Sequence, residues 1–175
     1  MNKRNTHPRA HLPHSAHKRR YYVHMSDPTL VMFGQLFLAA LLGLAIGTER
    51  SIVAQQRAGM RTFALVSLGA CAFIIGPSYV DSQFLGIVNF DPARMAAGIV
   101  QGVGFVCAGL IFMRDDSVHG ITTAAGLWVS ASIGILVGFH MYAVAIFAAA
   151  LTLGIFFAMW YVERMLKRLH DAGMP

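Results

Sequence analysis

The side chains best suited to chemistry in this sequence are charged, hydroxyl and amide groups near the ends of long apolar runs. They form two groups that together make a candidate polar cluster: Glu49, Arg50, Arg61 and Thr62 in the first, and Asp91, Arg94 and Gln101 in the second. In the first group, the opposite charges of Glu49 and Arg61 favour an ion pair beside Thr62. The alternative is that these charges mark a membrane boundary, where long basic side chains extend to water. The sequence leaves both interpretations open.

The second group begins a helical face that combines charged, small and amide side chains. With about 3.6 residues per turn, Arg94, Gly98, Gln101, Phe105 and Ala108 fall on one side of a helix. An amide within a bilayer is costly unless it has a partner, so this face is expected to contact other helices rather than lipid. Helix packing is preferred over a ligand site as the explanation of this face.

Small residues recur in the two apolar runs on either side of the polar turn at 113–120. In lipid, small residues let helix backbones approach closely and gain dispersion contacts. The residues predicted to pack in this way are Gly98, Gly102, Gly109, Thr123, Gly126, Ser130 and Gly134. We expect the two runs to form a tight helical hairpin with matching small faces. Gly102→Leu is then expected to lower thermal stability or disrupt an oligomer, whereas Val103→Leu is expected to have little effect.

Five apolar runs position these side chains. They cover about 30–48, 63–80, 93–113, 121–138 and 141–162. A bilayer core of about 30 Å takes roughly 20 helical residues, so each run is close to the length that spans it. The chain is 56% hydrophobic and only 13% charged, about half the charged fraction of a soluble domain. These features predict an all-α, polytopic integral membrane protein of five transmembrane helices, without strands.

Two segments of the chain carry a family resemblance. They are GMRTFALVSLGA at 59–70 and DPARMAAGIVQGVGFVCAGLIFMRDDSVHGITTAAGLWVSASIGILVG at 91–138. In these segments the chain resembles the membrane domain of the MgtC/SapB family, and the similarity extends from about Leu41 to about Leu153. The sequence departs from the usual pattern at Gly98, Gln101 and His119, where Gln, Ser and Arg are common. These departures concern polar contacts at three positions, and the resemblance still implies the fold of the family.

The sequence divides into three parts. Residues 1–28 form a basic, His-rich extension that is predicted to be disordered, 29–164 form the MgtC/SapB-like transmembrane domain, and 165–175 form a short cytoplasmic tail. Six basic residues in 1–24 oppose the orientation described below, so deletion of 1–24 is expected to leave insertion and folding intact. The histidines of the extension would suit a soft transition metal, but a polar tail without a metal is preferred. They are His7, His11, His14 and His17.

Basic residues in the short loops predict the orientation of the chain. From residue 25 onward, Arg94 is the one basic residue on one side of the predicted spans, and seven lie on the other side. The seven are Arg50, Arg57, Arg61, Arg114, Arg164, Lys167 and Arg168. The predicted location is therefore a bacterial inner membrane, with the N-terminus outside and the C-terminus in the cytoplasm.

Catalysis and magnesium transport are both disfavoured by the sequence. It contains no nucleophile-elbow, zinc-protease or phosphate-loop motif, so we expect no enzyme activity, no cofactor and no metal site. Mg²⁺ gives up its water reluctantly and is usually held through carboxylates. Every Asp and Glu lies at or beyond the end of a predicted span, which makes a single chain a poor pathway for divalent cations.

The preferred function is that of a non-enzymatic inner-membrane protein that binds and regulates other membrane proteins. The resemblance implies a role in adaptation to low magnesium or acid stress, and inhibition of the F-type ATP synthase as in some members. Many members also carry a cytoplasmic C-terminal domain, which a chain ending at Pro175 is expected to lack. The alternatives are magnesium or other cation transport, and a structural subunit of a membrane homo-oligomer. Expected partners are the lipid bilayer, other inner-membrane proteins and further copies of the chain, but not nucleic acid.

Overall fold

The computed structural model of the protein describes residues 28–52, 58–83, 91–114 and 116–172. In this part of the chain, five helices and two short strands follow one another in the order α1 Pro28–Ile52, α2 Met60–Gln83, α3 Pro92–Ala108, β1 Phe112–Arg114, β2 Ser117–His119, α4 Ile121–Gly138 and α5 Tyr142–Ala172. Except for Pro28, the predicted N-terminal extension lies outside the described residues. Helix α5 continues into the segment predicted as a cytoplasmic tail.

Four of the helices, α1, α2, α4 and α5, are long and apolar enough to cross a membrane. The structure thus confirms an all-α membrane protein in its main elements. Helix α3 has 17 residues, which gives a length of about 25 Å and falls short of a bilayer core of about 30 Å. The prediction of five spans is therefore not confirmed at this helix.

The chain between α3 and α4 differs from the sequence prediction. A helix was expected to continue to 113, but α3 ends at Ala108 and an antiparallel hairpin of β1 and β2 follows. The turn is made by Asp116 with a positive φ of 58°, and the rings of Phe112 and His119 stack across the strands at 5.7 Å. Hydropathy alone favoured a longer helix because Leu110, Ile111 and Phe112 are apolar. The expectation that the chain has no strands was wrong here.

The core of the bundle is formed where α1 and α4 pack against α2. Gly43 of α1 lies against Phe63 and Ser67 of α2, and Gly138 of α4 lies against Ile74 of α2. These contacts place α1 antiparallel to α2, because the C-terminal half of α1 meets the N-terminal half of α2. Helix α4 runs parallel to α2, because its start lies near the start of α2 and its end near the later part of α2.

Helices α3 and α5 pack on the outside of this three-helix core. The Cys107 thiol near the end of α3 donates to the carbonyl of Ala124 near the start of α4 at 3.2 Å, so α3 is antiparallel to α4. Phe156 of α5 lies against Gly126 of α4 and Arg50 at the end of α1. Successive helices therefore alternate in direction, and the end of α1 meets the starts of α2 and α4.

Candidate functional site

A buried ion pair lies at the end of the bundle where α1 finishes. Glu49 is 3% exposed and Arg50 is 8% exposed, and Arg50 Nε donates to Glu49 Oε2 at 2.6 Å. Removing two charges from water is costly, and the cost is offset only when the charges neutralise each other with good geometry. The two residues are neighbours in sequence and lie in the last turn of α1, so a single helix end holds both charges.

The guanidinium of Arg50 is covered by an aromatic ring from α5. Its central carbon lies 3.9 Å from the centre of the Phe156 ring, within the range of a cation–π interaction. The ring fits there because Gly126 of α4 has no side chain: a Cβ at Gly126 would lie 2.9 Å from the tip of Phe156. Gly126, predicted as a packing residue, thus makes room for the ring that covers the ion pair.

Arg61 and Thr62 lie near this end but do not join the ion pair. The Arg61 side chain is exposed and Thr62 is half-buried. In the described ranges, the ion pair of Glu49 is with Arg50, so the expected pairing of Glu49 with Arg61 is not what the structure shows. The adjacent Gly59 is buried against Ser51, whose hydroxyl accepts from the Met60 N–H at 3.0 Å and so caps the start of α2. The start of the Gly-x-Arg-Thr segment therefore contacts the end of α1.

Asp91, Arg94 and Gln101 lie apart from the ion pair, because α3 begins at the opposite end of the bundle. Asp91 is the N-cap of α3, and its Oδ1 accepts from the N–H groups of Ala93 at 3.0 Å and Arg94 at 3.2 Å. The side chains of Arg94 and Gln101 are exposed. The seven residues of the predicted polar cluster are thus divided between two ends of the bundle and the outer face of α3.

The small residues of α4 are closely packed, as predicted, but they face α2 instead of α3. Thr123, Gly126, Ser130 and Gly134 are all buried, and Ser130 Oγ donates to the Phe63 carbonyl of α2 at 3.0 Å. A Cβ at Gly134 would overlap the carbonyl of Ser67 in α2. The expectation that this face matches the small face of α3 is therefore wrong. Helix α2 occupies that position.

Gly98 and Gly102 of α3 have no close contact with the residues that the structure describes. A Cβ at Gly98 or Gly102 would meet no atom within 4 Å, and Gly109 ends the helix with its N–H bonded to the Phe105 carbonyl. Nothing in the described part of the chain therefore occupies the space beside Gly98 and Gly102. The prediction that they form a helix interface stays a prediction.

Two features of the core were missed by the sequence analysis. Gln35 is 2% exposed, and its Nε2 donates to the carbonyls of Val137 at 2.8 Å and Gly138 at 3.2 Å, which satisfies the end of α4. Gly43 and Gly47 stand four residues apart and face α2, a spacing typical of close helix contacts in membranes. An amide within an apolar run and the glycine spacing were the signals that could have identified them.

The chemistry of the buried site is that of a neutralised, immobilised charge pair. The carboxylate of Glu49 is engaged by Arg50, and Arg50 is covered by Phe156. Within the ranges that the structure describes, no three His, Cys, Asp or Glu side chains lie close enough together to hold a metal ion. The arrangement fixes the end of α1 against α4 and α5.

Comparisons with known proteins identify relatives of this chain. "Protein MgtC" of Salmonella typhimurium strain LT2 is 42% identical over 118 residues, which cover 67% of this chain and 48% of the relative. "Protein MgtC" of Brucella abortus is 44% identical over 100 residues, 57% of this chain and 39% of the relative. The protein named "Putative magnesium transporter YhiD" of Escherichia coli K12 is 41% identical over 121 residues, 68% of this chain and 56% of the relative. The chain thus spans about half the length of these curated relatives.

No solved structure matches the chain. The model of the MgtC family matches residues 36–165, a range that includes residues of all five helices and the buried ion pair. The family resemblance seen in the two sequence segments is therefore confirmed over most of the chain. This chain belongs to the MgtC family.

Proposed function

We propose that the protein is a non-enzymatic, multi-pass protein of the bacterial inner membrane that binds and regulates other membrane proteins during adaptation to low magnesium or acid stress. The family and the name of the Escherichia coli relative support a link to magnesium. The observation that carries the proposal is that the buried carboxylate and amide of the described bundle are engaged within the chain, whereas the buried Ser67 hydroxyl has no hydrogen-bond partner among the described residues. Glu49 pairs with Arg50, Gln35 bonds the end of α4, and Ser130 bonds α2.

These engaged groups favour regulation over transport. A Mg²⁺ pathway needs oxygen ligands that can exchange with the ion's water. The one buried carboxylate of the described bundle lies 2.6 Å from a guanidinium, and the cost of separating that pair disfavours its use as a ligand. The F-type ATP synthase is the proposed partner by resemblance to the family.

The proposed topology has five spans, with the N-terminus outside and the C-terminus in the cytoplasm. Helix α3 is antiparallel to α4 and nearly bilayer length, which supports a third crossing. The excess of basic residues on one side supports the orientation. A membrane-impermeant maleimide should label Asp91→Cys and Asp116→Cys from opposite sides of the membrane. Labelling of both from one side would exclude α3 as a span.

The test of function uses the purified chain in liposomes, with and without a bacterial F-type ATP synthase. We expect ATP-driven proton pumping to fall when the chain is present, and Mg²⁺ influx to stay at the level of protein-free liposomes. Glu49→Gln tests the transport alternative, with Glu163→Gln on the exposed part of α5 as the matched control. Mg²⁺ influx that the Glu49 variant abolishes and the Glu163 variant keeps would favour transport and contradict regulation.

The structural-subunit alternative has one supporting observation, the open space at Gly98 and Gly102. It predicts a homo-oligomer in mild detergent without any effect on proton pumping. The proposed regulator, in contrast, affects proton pumping whatever its oligomeric state. The pumping assay therefore separates the two functions.

A further inference from the structure

A groove of about 450 Å³ lies between α2 and α3 on the outside of the core. Its walls are mainly apolar, with Phe73 on α2 and Met95 on α3 among the lining residues. Glycines open it from both sides: Gly69 lines the α2 wall, and Gly98 and Gly102 line the α3 wall. A Cβ at any of these three glycines would meet no atom within 4 Å, so the described residues of the chain leave this space open.

The groove has a defined length and a charged end. On α3 the lining residues run from Arg94 to Val103, which corresponds to about 14 Å of helix. That length is about half of a bilayer core of roughly 30 Å, and so about the depth of one leaflet. Among the described residues that line the groove, Arg94 alone is charged, and it lies in the first turn of α3.

Arg94 and the start of α3 together favour a negative group at this end. The Arg94 side chain is exposed, and its guanidinium can donate two parallel hydrogen bonds to a phosphate. The carboxylate of Asp91 lies nearby, but its Oδ1 is directed at the N–H groups of Ala93 and Arg94. An apolar groove one leaflet deep with a guanidinium at its mouth has the charge and shape of an anionic phospholipid.

We propose that this groove binds one acyl chain of an anionic phospholipid whose phosphate contacts Arg94. A transmembrane helix is a poorer occupant, because the groove covers about half the depth that such a helix would contact. A second copy related by a two-fold axis along the membrane normal would bring a second Arg94 to the same depth, where like charges repel. The proposal is independent of whether the protein regulates the ATP synthase.

The proposal is tested by native mass spectrometry of the protein purified in mild detergent. The probes are phosphatidylglycerol and phosphatidylcholine with identical acyl chains, added in equal amounts. Gly102→Leu fills the groove from α3, and Gly69→Leu fills it from α2. Gly104→Leu is the matched control, because Gly104 also has no atom within 4 Å but does not line the groove. Arg94→Gln removes the charge, and Arg94→Lys keeps it.

We expect the parent to retain phosphatidylglycerol over phosphatidylcholine, and Arg94→Gln to reduce that preference about fivefold, as expected for one basic residue at a lipid headgroup. Arg94→Lys should keep most of the preference. Gly102→Leu and Gly69→Leu should lose the bound lipid while Gly104→Leu keeps it. Equal retention of both lipids by the parent would overturn the proposal. So would undiminished phosphatidylglycerol binding in both groove-filling variants, or a dimer of the parent that Gly102→Leu converts to a monomer.

Discussion

Glycine has opposite roles in two contacts of α2. One is the contact with α1 and α4, and the other is the contact with α3. In the first contact, Gly43 and Gly134 lie so close to the α2 backbone that a Cβ would clash with the carbonyls of Phe63 and Ser67. In the second, a Cβ at Gly98 or Gly102 would meet open space. Glycine therefore closes one helix contact and opens a groove in the other.

Polar side chains also differ between the core and α3. In the core, Gln35 and Ser130 are buried and donate to backbone carbonyls of neighbouring helices. On α3, the amide of Gln101 is exposed. Because a polar group inside a bilayer must find a partner, the core residues act as cross-links between helices. The comparison indicates that α1, α2 and α4 form a closely packed unit and that α3 presents a surface to its surroundings.

The largest expected effect in the core comes from separating the buried ion pair. Glu49→Gln leaves the charge of Arg50 buried without a counter-charge, and breaking a buried pair in this way costs about 3–5 kcal/mol. We expect the free energy of unfolding, measured by titration from mild detergent into SDS, to fall by that amount. Glu163→Gln, on the exposed part of α5, should change it little. Equal effects of the two variants would show that Arg50 reaches water.

A smaller effect is expected from the ring that covers Arg50. Phe156→Leu keeps an apolar side chain but removes the cation–π interaction, which is worth about 2 kcal/mol when the cation is desolvated. The same unfolding titration should detect this loss. Phe147→Leu is the control, because Phe147 lies on the same helix and is 68% exposed. If the Phe156 variant is as stable as the control, the ring fills space beside Arg50 without a stabilising cation–π interaction.

The smallest effect is expected from the amides. Gln35→Leu removes the hydrogen bonds to the end of α4 and should lower the free energy of unfolding by about 1 kcal/mol. Gln101→Leu removes an exposed amide on α3 and should have no such effect. Thermal unfolding of both variants in one detergent gives the comparison. A larger loss for the Gln101 variant would place a partner of this chain on α3.

The sequence predicted those parts of the fold that depend on local hydrophobicity. The run at 121–138 coincides with α4, the runs at 30–48 and 63–80 lie within α1 and α2, and the run at 141–162 begins one residue before α5. The end of α3 could not be predicted in the same way. Whether the apolar residues after Gly109 continue a helix or form a strand depends on the turn at Asp116 and on pairing of β1 with β2.

The candidate site was predicted only in part, because its geometry depends on residues far apart in the sequence. The membrane-end position of Glu49 and Arg50 follows from the apolar pattern, but the ring of Phe156 over Arg50 requires the packing of α5 on α1 and α4. Likewise, Gly102 and Gly134 both occur in small-residue patterns. Only the position of α2 decides that Gly134 is closely packed and Gly102 borders a groove.

The difference between the closed core and the open face of α3 is tested most directly by adding one methyl group to each. We compare the free energies of unfolding of Gly134→Ala and Gly102→Ala with that of the parent in the same detergent. Gly134→Ala should lose about 1–3 kcal/mol through overpacking against α2. Gly102→Ala should lose nothing and gain up to about 1 kcal/mol from its better helix propensity. A loss of similar size in both variants would contradict the account, because it would show that α3 is as closely packed as the core.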